Sequence, residues 1–321
     1  MSNKDCKVQL PDNWLGKPYY SLDAYCKYTF HHKCYKIALD AHMTCPNRDG
    51  TLDSRGCMFC SAGGSGDFAV STLGRTIEEQ LKEGLTLFHG KKTGEHFIAY
   101  FQAYTNTYAP LSYLEQVYTQ ALEHPDICGI SIATRPDCLG DDVLSLLTEL
   151  MQRYPEKFIW IELGLQSIHE ASAAFIRRGY DLNCFADSFC KLKERSIPVI
   201  VHVILGLPGE TPEDMYETIR YLNHCQPFGI KLQLLHVLKG TDLASLYQQG
   251  SFETLSKDDY LDILIHCLEL LRPEIVVHRV TGDGPKELTI APLWSLHKRD
   301  VLNSLHARMR IQGAYQGRLY K

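Results

Sequence analysis

Short apolar, β-branched runs alternate with amphipathic stretches along the first three-quarters of this chain. The strand-like runs lie near 35–42, 96–101, 127–133, 157–164, 198–205 and 230–237. Helical periodicity fills the intervals near 76–89, 111–123, 141–153, 169–177, 183–195 and 211–225. Two helix starts carry explicit signals. Thr76 with Glu79 is a capping-box pattern, and Thr211-Pro212-Glu213-Asp214 gives an N-cap, a proline at the first helical position and acids in the first turn. Such alternation predicts a parallel sheet with right-handed crossovers, so six βα units make a doubly wound sheet or an open barrel. Beyond 237 the pattern changes to a turn at Lys239-Gly240-Thr241, a helix near 257–271, a short strand at 274–280, a Gly-Asp-Gly-Pro turn at 282–285 and a helix near 294–310. No seventh or eighth βα unit is legible. The reading is an α/β protein built as a partial (β/α)6 barrel over 35–240. An N-terminal extension (1–34) precedes it, and a C-terminal extension (241–321) closes it.

Composition adds bounds rather than detail. With 321 residues, 45% hydrophobic and 22% charged, the chain has material for one large core. No apolar run reaches the ~18 residues a membrane span needs, and Met-Ser-Asn-Lys-Asp-Cys-Lys lacks the apolar centre of a secretion signal. The expected location is therefore the cytoplasm, with no membrane partner. A net charge of −5 argues against indiscriminate nucleic-acid binding. Seven Lys or Arg against two acids from Lys286 to Lys321 nevertheless make a tail that either contacts phosphates or is a solvated helix face. The twelve cysteines fit reduced thiols better than a disulfide framework. Most, among them Cys26, Cys34, Cys128 and Cys267, read as small buried hydrophobes, so no second metal cluster is expected.

Cys45, Cys57 and Cys60 are the exception. Their C-x11-C-x2-C spacing gathers three soft ligands suited to iron–sulfur or zinc chemistry. Three protein ligands leave one metal position open, as catalytic sites do. Asn47, Asp49, Gly50 and Gly56 mark the segment as a loop, and it follows the first strand at the end where α/β barrels carry active sites. Gly56, Gly63, Gly64 and Gly66 let backbone approach a bulky inorganic centre. The alternative is a zinc knuckle completed by His31, His32 or His42.

Several further segments accompany this loop: Thr134-Arg135-Pro136-Asp137 after the third strand, Glu162-Leu-Gly-Leu-Gln166-Ser167 on the fourth, Arg178-Gly179 after it, and Gly206-Leu207-Pro208-Gly209 after the fifth. Together they resemble the radical S-adenosylmethionine (SAM) superfamily, and within it the Elp3-like branch, whose first cysteine gap is longer than the usual C-x3-C-x2-C. Nearly the whole chain is similar to a group of bacterial radical SAM proteins of about this length that carry Cys-Pro-Asn-Arg-Asp-Gly and the nonapeptide found here at Tyr100–Tyr108. The resemblance implies a [4Fe–4S] cluster on Cys45, Cys57 and Cys60, SAM chelating the fourth iron through its amino and carboxylate groups, and an external electron donor of flavodoxin or ferredoxin type. It implies SAM contacts at Gln102, Thr134, Arg135, Glu162, Gln166 and Gly206. Elp3 proteins act on wobble uridine in tRNA, so the resemblance suggests tRNA modification. A small metabolite or a protein side chain as substrate, or a non-catalytic iron–sulfur or zinc protein, are the other readings. Several residues have two readings. Arg135 suits a carboxylate fork or a structural pair with Asp137 or Glu162, and the tyrosines after the second strand suit an aromatic wall or a binding surface. His202 and His236 are core residues or lumen residues, His278-Arg279 with Gly282-Asp283-Gly284 is a closing or substrate-recognising patch, and Trp294 is a core residue or a base-stacking one.

Overall fold

Strand register, more than any single element, sets this architecture. The computed structural model describes residues 9–64, 75–88, 96–282 and 284–321. Cys6, Gly66, His89 and Asp283 lie outside the described residues. The strands β1 (Tyr35–Leu39), β2 (Phe97–Phe101), β3 (Ile127–Thr134), β4 (Phe158–Gln166), β5 (Val199–Leu205) and β6 (Gly229–Leu234) follow one another in parallel. After the short β7 (Val237–Leu238) comes β8 (Val276–Arg279), which pairs parallel with β6, so seven strands curl into a half-barrel. This seventh strand extends the six read from sequence. It is the short strand read at 274–280, four residues long and bulged between Ile230 and Lys231 of its partner, and its pairing with β6 is what the sequence left unread. β9 (Thr289–Ala291) pairs antiparallel with β7.

Helices α2 (Ile77–Thr86), α3 (Leu111–Glu123), α4 (Asp141–Arg153), α6 (Leu182–Glu194) and α7 (Pro212–Cys225) cover the outer face, with α5 (Glu170–Phe175) between β4 and α6. The capping box read at Thr76 is present, and the N-cap read at Thr211 is a capping box as well, closed by Asp214. Alternation along the strands divides the side chains. Ile37, Leu39, Phe101, Ile130, Ile132, Val201 and Leu232 pack outward in the large core under the helices. Their neighbours point into the lumen. At the amino-terminal ends of the strands, Ile98, Trp160 and Ile200 meet Leu22, Tyr25 and Phe30 of α1 (Leu22–Phe30), together with Phe158 and Phe228. Tyr25 packs edge-on against Phe228 at 5.0 Å and Phe158 stacks on Trp160 at 4.0 Å, so an aromatic plug closes the base.

The last part of the chain, with α8 (Asp242–Gln248), α9 (Lys257–Leu270) and α10 (Lys298–Gln312), packs back on the barrel. Its last turn is tied to the segment before α1 by Gln316, which is buried. Its amide oxygen accepts from Tyr20 N (2.9 Å), while its nitrogen donates to Arg272 O (2.7 Å) and Ile275 O (2.8 Å). Replacing Gln316 by alanine strands Tyr20 N and Ile275 O, while Arg272 O keeps Ile275 N (3.2 Å), and is expected to cost about 2–3 kcal/mol. Urea unfolding measures this, and a loss below about 1 kcal/mol would mean that water takes over the bonds. In the basic tail, Arg308 pairs with Asp258 and Asp262, and Arg318 with Glu269. Trp294 donates to Leu255 O (3.1 Å) and packs near Tyr260, which is its core reading.

Candidate active site

The loop after β1 is wound, not slack. Arg48 N and Asp49 N turn back to Cys45 O (2.7 and 3.2 Å), and Leu52 N bonds Pro46 O (2.8 Å). Gly56 N then returns to Asn47 O (2.7 Å), which brings Cys57 back toward Cys45 across the long gap. Gly56 holds φ +78°, and a Cβ there would fall 2.9 Å from Arg48 Nε. Asn47, buried, donates from Nδ2 to Arg177 O (2.7 Å) and lies 3.4 Å from Cys57 Sγ, so the cysteine loop is latched to the segment after β4. Arg48 Nη2 braces the other side through Cys60 O (2.9 Å) and Ser61 O (2.5 Å). Tyr104 closes over it, its hydroxyl donating to Ala62 O (2.6 Å) and its amide to Gly64 O (2.8 Å). Tyr104 therefore has the wall role. Asn106 and Thr107 of the same segment bond Ala133 O and Thr134 Oγ1, stitching the ends of β2 and β3 together.

Cys45, Cys57 and Cys60 line one cavity of about 250 Å³ at the carboxyl ends of the strands. Among the described residues, the one set of His, Cys, Asp and Glu ligand atoms gathered within 4.8 Å of each other is His169, Asp214 and Glu217. The three sulfurs are thus not all within 4.8 Å of one another, which a multinuclear centre accommodates. His31, His32 and His42 of the zinc-knuckle reading do not line this cavity. His32 stacks on His96 at 3.3 Å and His42 bonds Arg75 O (3.2 Å). Burial pushes the Cys57 thiol up to about 11, so a thiolate there needs the positive charge of a metal.

The implied SAM contacts divide. Gln102, Thr134, Arg135, Glu162 and Gln166 line the same cavity, whereas Gly206 does not. Gly206 instead makes the left-handed turn after β5 at φ +85°, with its amide on Met215 Sδ. Arg135 is engaged by Asp137 through Nε (2.9 Å) and Nη2 (2.7 Å) and by Arg178 O through Nη1 (3.0 Å), which is the structural pair weighed above. Gln166 ends β4 at φ +63°, a conformation costly for a non-glycine residue. Arg178 holds that end in place. Its guanidinium, 2% exposed, donates to Leu165 O (2.8 Å), Ser167 O (2.7 Å) and Tyr180 O (2.9 Å). Gly164 leaves room beside Gln166 and Tyr180, where a Cβ would sit 2.7 and 2.9 Å from their polar ends.

Glu162 lies deeper, at the floor of the lumen. Lys36 of β1 and Lys231 of β6 both pair with its carboxylate, Ser131 donates to Oε1 (2.6 Å), and His202 reaches Oε2 (2.7 Å). Lys231 also donates to Tyr100 OH (3.1 Å). Burial opposes ionisation of Glu162, yet Lys231 and Lys36 outweigh it and hold the carboxyl well below its usual range. Burial, with Lys231 nearby, pushes His202 down to about 4. The imidazole is then neutral, donating from Nε2 to Glu162 and accepting Gln233 Nε2 at Nδ1 (3.3 Å). His202 is thus a lumen residue. His236 bonds Leu234 O (3.0 Å) and Ser295 Oγ (3.0 Å) at the rim. Sequence reading passed over Lys36, Ser131 and Lys231. The available signal was a lone polar residue at one inward position of each otherwise apolar strand.

The family profile of the radical SAM superfamily matches residues 54–222, and that of the radical SAM C-terminal domain matches 227–311. The chain belongs to the radical SAM superfamily. The Bacillus subtilis protein YtqA is 44% identical over 95% of this chain and 94% of its own length. Elongator complex protein 3 of Mus musculus is 29% identical over 57% of this chain and 32% of its own. Among solved radical SAM folds, Elp3 of the archaeon Methanocaldococcus infernus, with its N-terminus deleted, superposes at TM-score 0.63 over 88% of this chain and 64% of that one, at 14% identity. In this superfamily member no helix among the described residues is long and apolar enough to cross a membrane.

Proposed function

We propose that this chain is a radical SAM enzyme that remodels the side chain on carbon 5 of a wobble uridine in tRNA. The observation that carries the cofactor half is the latched loop, which brings three thiols to the lining of one cavity. Cys45, Cys57 and Cys60 would hold a [4Fe–4S] cluster, and Gln102, Thr134, Gln166 and the wall of Tyr104 surround the space for SAM above the floor. When bound, the cluster and SAM supply a 5′-deoxyadenosyl radical by reductive cleavage of the sulfonium C–S bond. The chain's own work is orientation and exclusion of water. Arg48, Asn47 and Arg178 fix the loop and the end of β4, and the aromatic plug keeps solvent from entering beneath.

The tRNA half is supported by the kinship with Elp3 proteins and by what is left of the basic tail. Lys286, Arg299 and Arg310 stand outside the ion pairs that engage Arg308 and Arg318. The test is the nucleoside profile of tRNA from cells lacking the gene, expected to lose one modified uridine and accumulate its precursor. An unchanged profile would sink the tRNA claim and turn the reading to a small metabolite or a protein side chain. Zinc without acid-labile sulfide in anaerobically purified protein would sink the cofactor claim.

A further inference from the structure

The floor of the lumen carries a charge imbalance that the cofactor chemistry does not use. His202, Lys231 and Arg279 are register partners across β5, β6 and β8, so they form one rung of the sheet. Lys36, from β1, approaches from the opposite edge. Two ammonium groups, those of Lys36 and Lys231, share the single carboxylate of Glu162, and both are its direct partners. Neutral His202 brings no compensating charge. Among the described residues lining the cavity, Glu162 is the sole carboxylate, while Lys231 and Arg279 both line it. Lys231 is 3% exposed, and an ammonium has three protons to place. One goes to Glu162 and one to Tyr100 OH, which leaves one for an occupant of the cavity.

Surplus positive charge buried against a cavity is costly unless an anion arrives with the ligand. We infer that the lumen floor is a recognition subsite for a carboxylate carried by the substrate, received by Lys231, with Arg279 beside it on the same rung. A carboxylate sets one negative charge against the Lys231 proton that Glu162 and Tyr100 leave over. A phosphate dianion would bring a second charge to stand against Glu162. The methionine carboxylate of SAM is a second source of the same chemistry, but in this superfamily it is committed to the cluster iron, near the thiols at the other end of the cavity. The acidic group that reaches the floor therefore belongs to the substrate. Burial weakens the hold of Lys231 on its proton, with Lys36 and Arg279 adding to the effect. A bound carboxylate would reverse that and keep the lysine charged.

This inference rests on the uridine reading only for its choice of probe. Binding to the cluster-reconstituted protein is measured by anaerobic calorimetry with 5-carboxymethyluridine, its neutral isostere 5-carbamoylmethyluridine, and phenylacetate, which carries the carboxylate without a nucleoside. The acid is expected to bind roughly tenfold or more tighter than the amide. Lys231→Met should erase that preference while leaving affinity for the amide in place. Where Lys231→Met fails to fold, Arg279→Gln serves the same purpose. Equal binding of acid and amide overturns the subsite and leaves the uridine reading standing. An acid preference that survives both substitutions also overturns it. Phenylacetate binding that depends on Lys231, without binding of either nucleoside, keeps the subsite and removes the uridine reading. No binding of any carboxylate removes the subsite.

Discussion

Cys57→Ala is expected to abolish the visible iron–sulfur absorption, the acid-labile sulfide and all 5′-deoxyadenosine formation in protein reconstituted anaerobically with iron, sulfide, SAM and a reductant. Two thiolates hold two irons of a cube and leave the third without a protein ligand. The fold has no comparable stake in this sulfur. Within the loop Cys57 Sγ meets the Asn47 amide, and that amide keeps Arg177 O (2.7 Å) and Arg178 O (3.2 Å) when the sulfur is gone. Far-ultraviolet circular dichroism should therefore be unchanged, which separates loss of the centre from loss of structure. Cys138→Ala is the control. Cys138 lies on the turn after β3 and is absent from the cavity lining, so it should retain full cluster and activity. A Cys57→Ala protein that still cleaves SAM, or a Cys138→Ala protein that cannot, would overturn the ligand assignment.

The largest stability effect is expected at Arg178. Alanine there takes the donor from the carbonyls of Ser167 and Tyr180, leaves Leu165 O with Ser167 N alone (2.8 Å), and opens a hole beneath the ring of Tyr180. Breaking a buried charged hydrogen-bond network of this kind costs about 3–5 kcal/mol. Urea unfolding of the apoprotein under reducing conditions measures it. Arg178→Lys should recover only part of the loss, since one ammonium cannot span three carbonyls that a planar guanidinium reaches together. The substitution also releases Gln166 from its left-handed conformation, so SAM affinity should fall along with stability. A loss under about 1 kcal/mol would mean that the end of β4 is held by the sheet alone.

The parts of the molecule that sequence made legible are those whose signal is local. Thr76 and Thr211 announced their helices because a cap is written within four residues. The cysteine loop was legible because its ligands and glycines are neighbours in the chain. The floor was not, because Lys36, Tyr100, Ser131, Glu162, His202 and Lys231 come from six strands and meet only through register. Glu162, read as a SAM contact, lines the cavity and is flanked by Lys36 and Lys231, whose positions nothing near it in sequence reveals. Arg135 shows the opposite case. Its partner Asp137 lies two residues away, so the structural pair was visible as an alternative from the start. β8 was legible as a short strand, but its place as the seventh parallel strand was not, because its pairing with β6 spans about forty residues of intervening chain.

The aromatic seal made by Tyr25, Phe30, Phe158, Trp160 and Phe228 makes the barrel a blind vessel. Nothing reaches its depths from below, so arrivals and departures share the side where the thiols stand. A guest resting on the bottom is shut in by whatever settles over it, which imposes a first-in, last-out sequence on traffic. Turnover would then wait on emptying the upper berth before the lower one, whatever the speed of the chemistry between them.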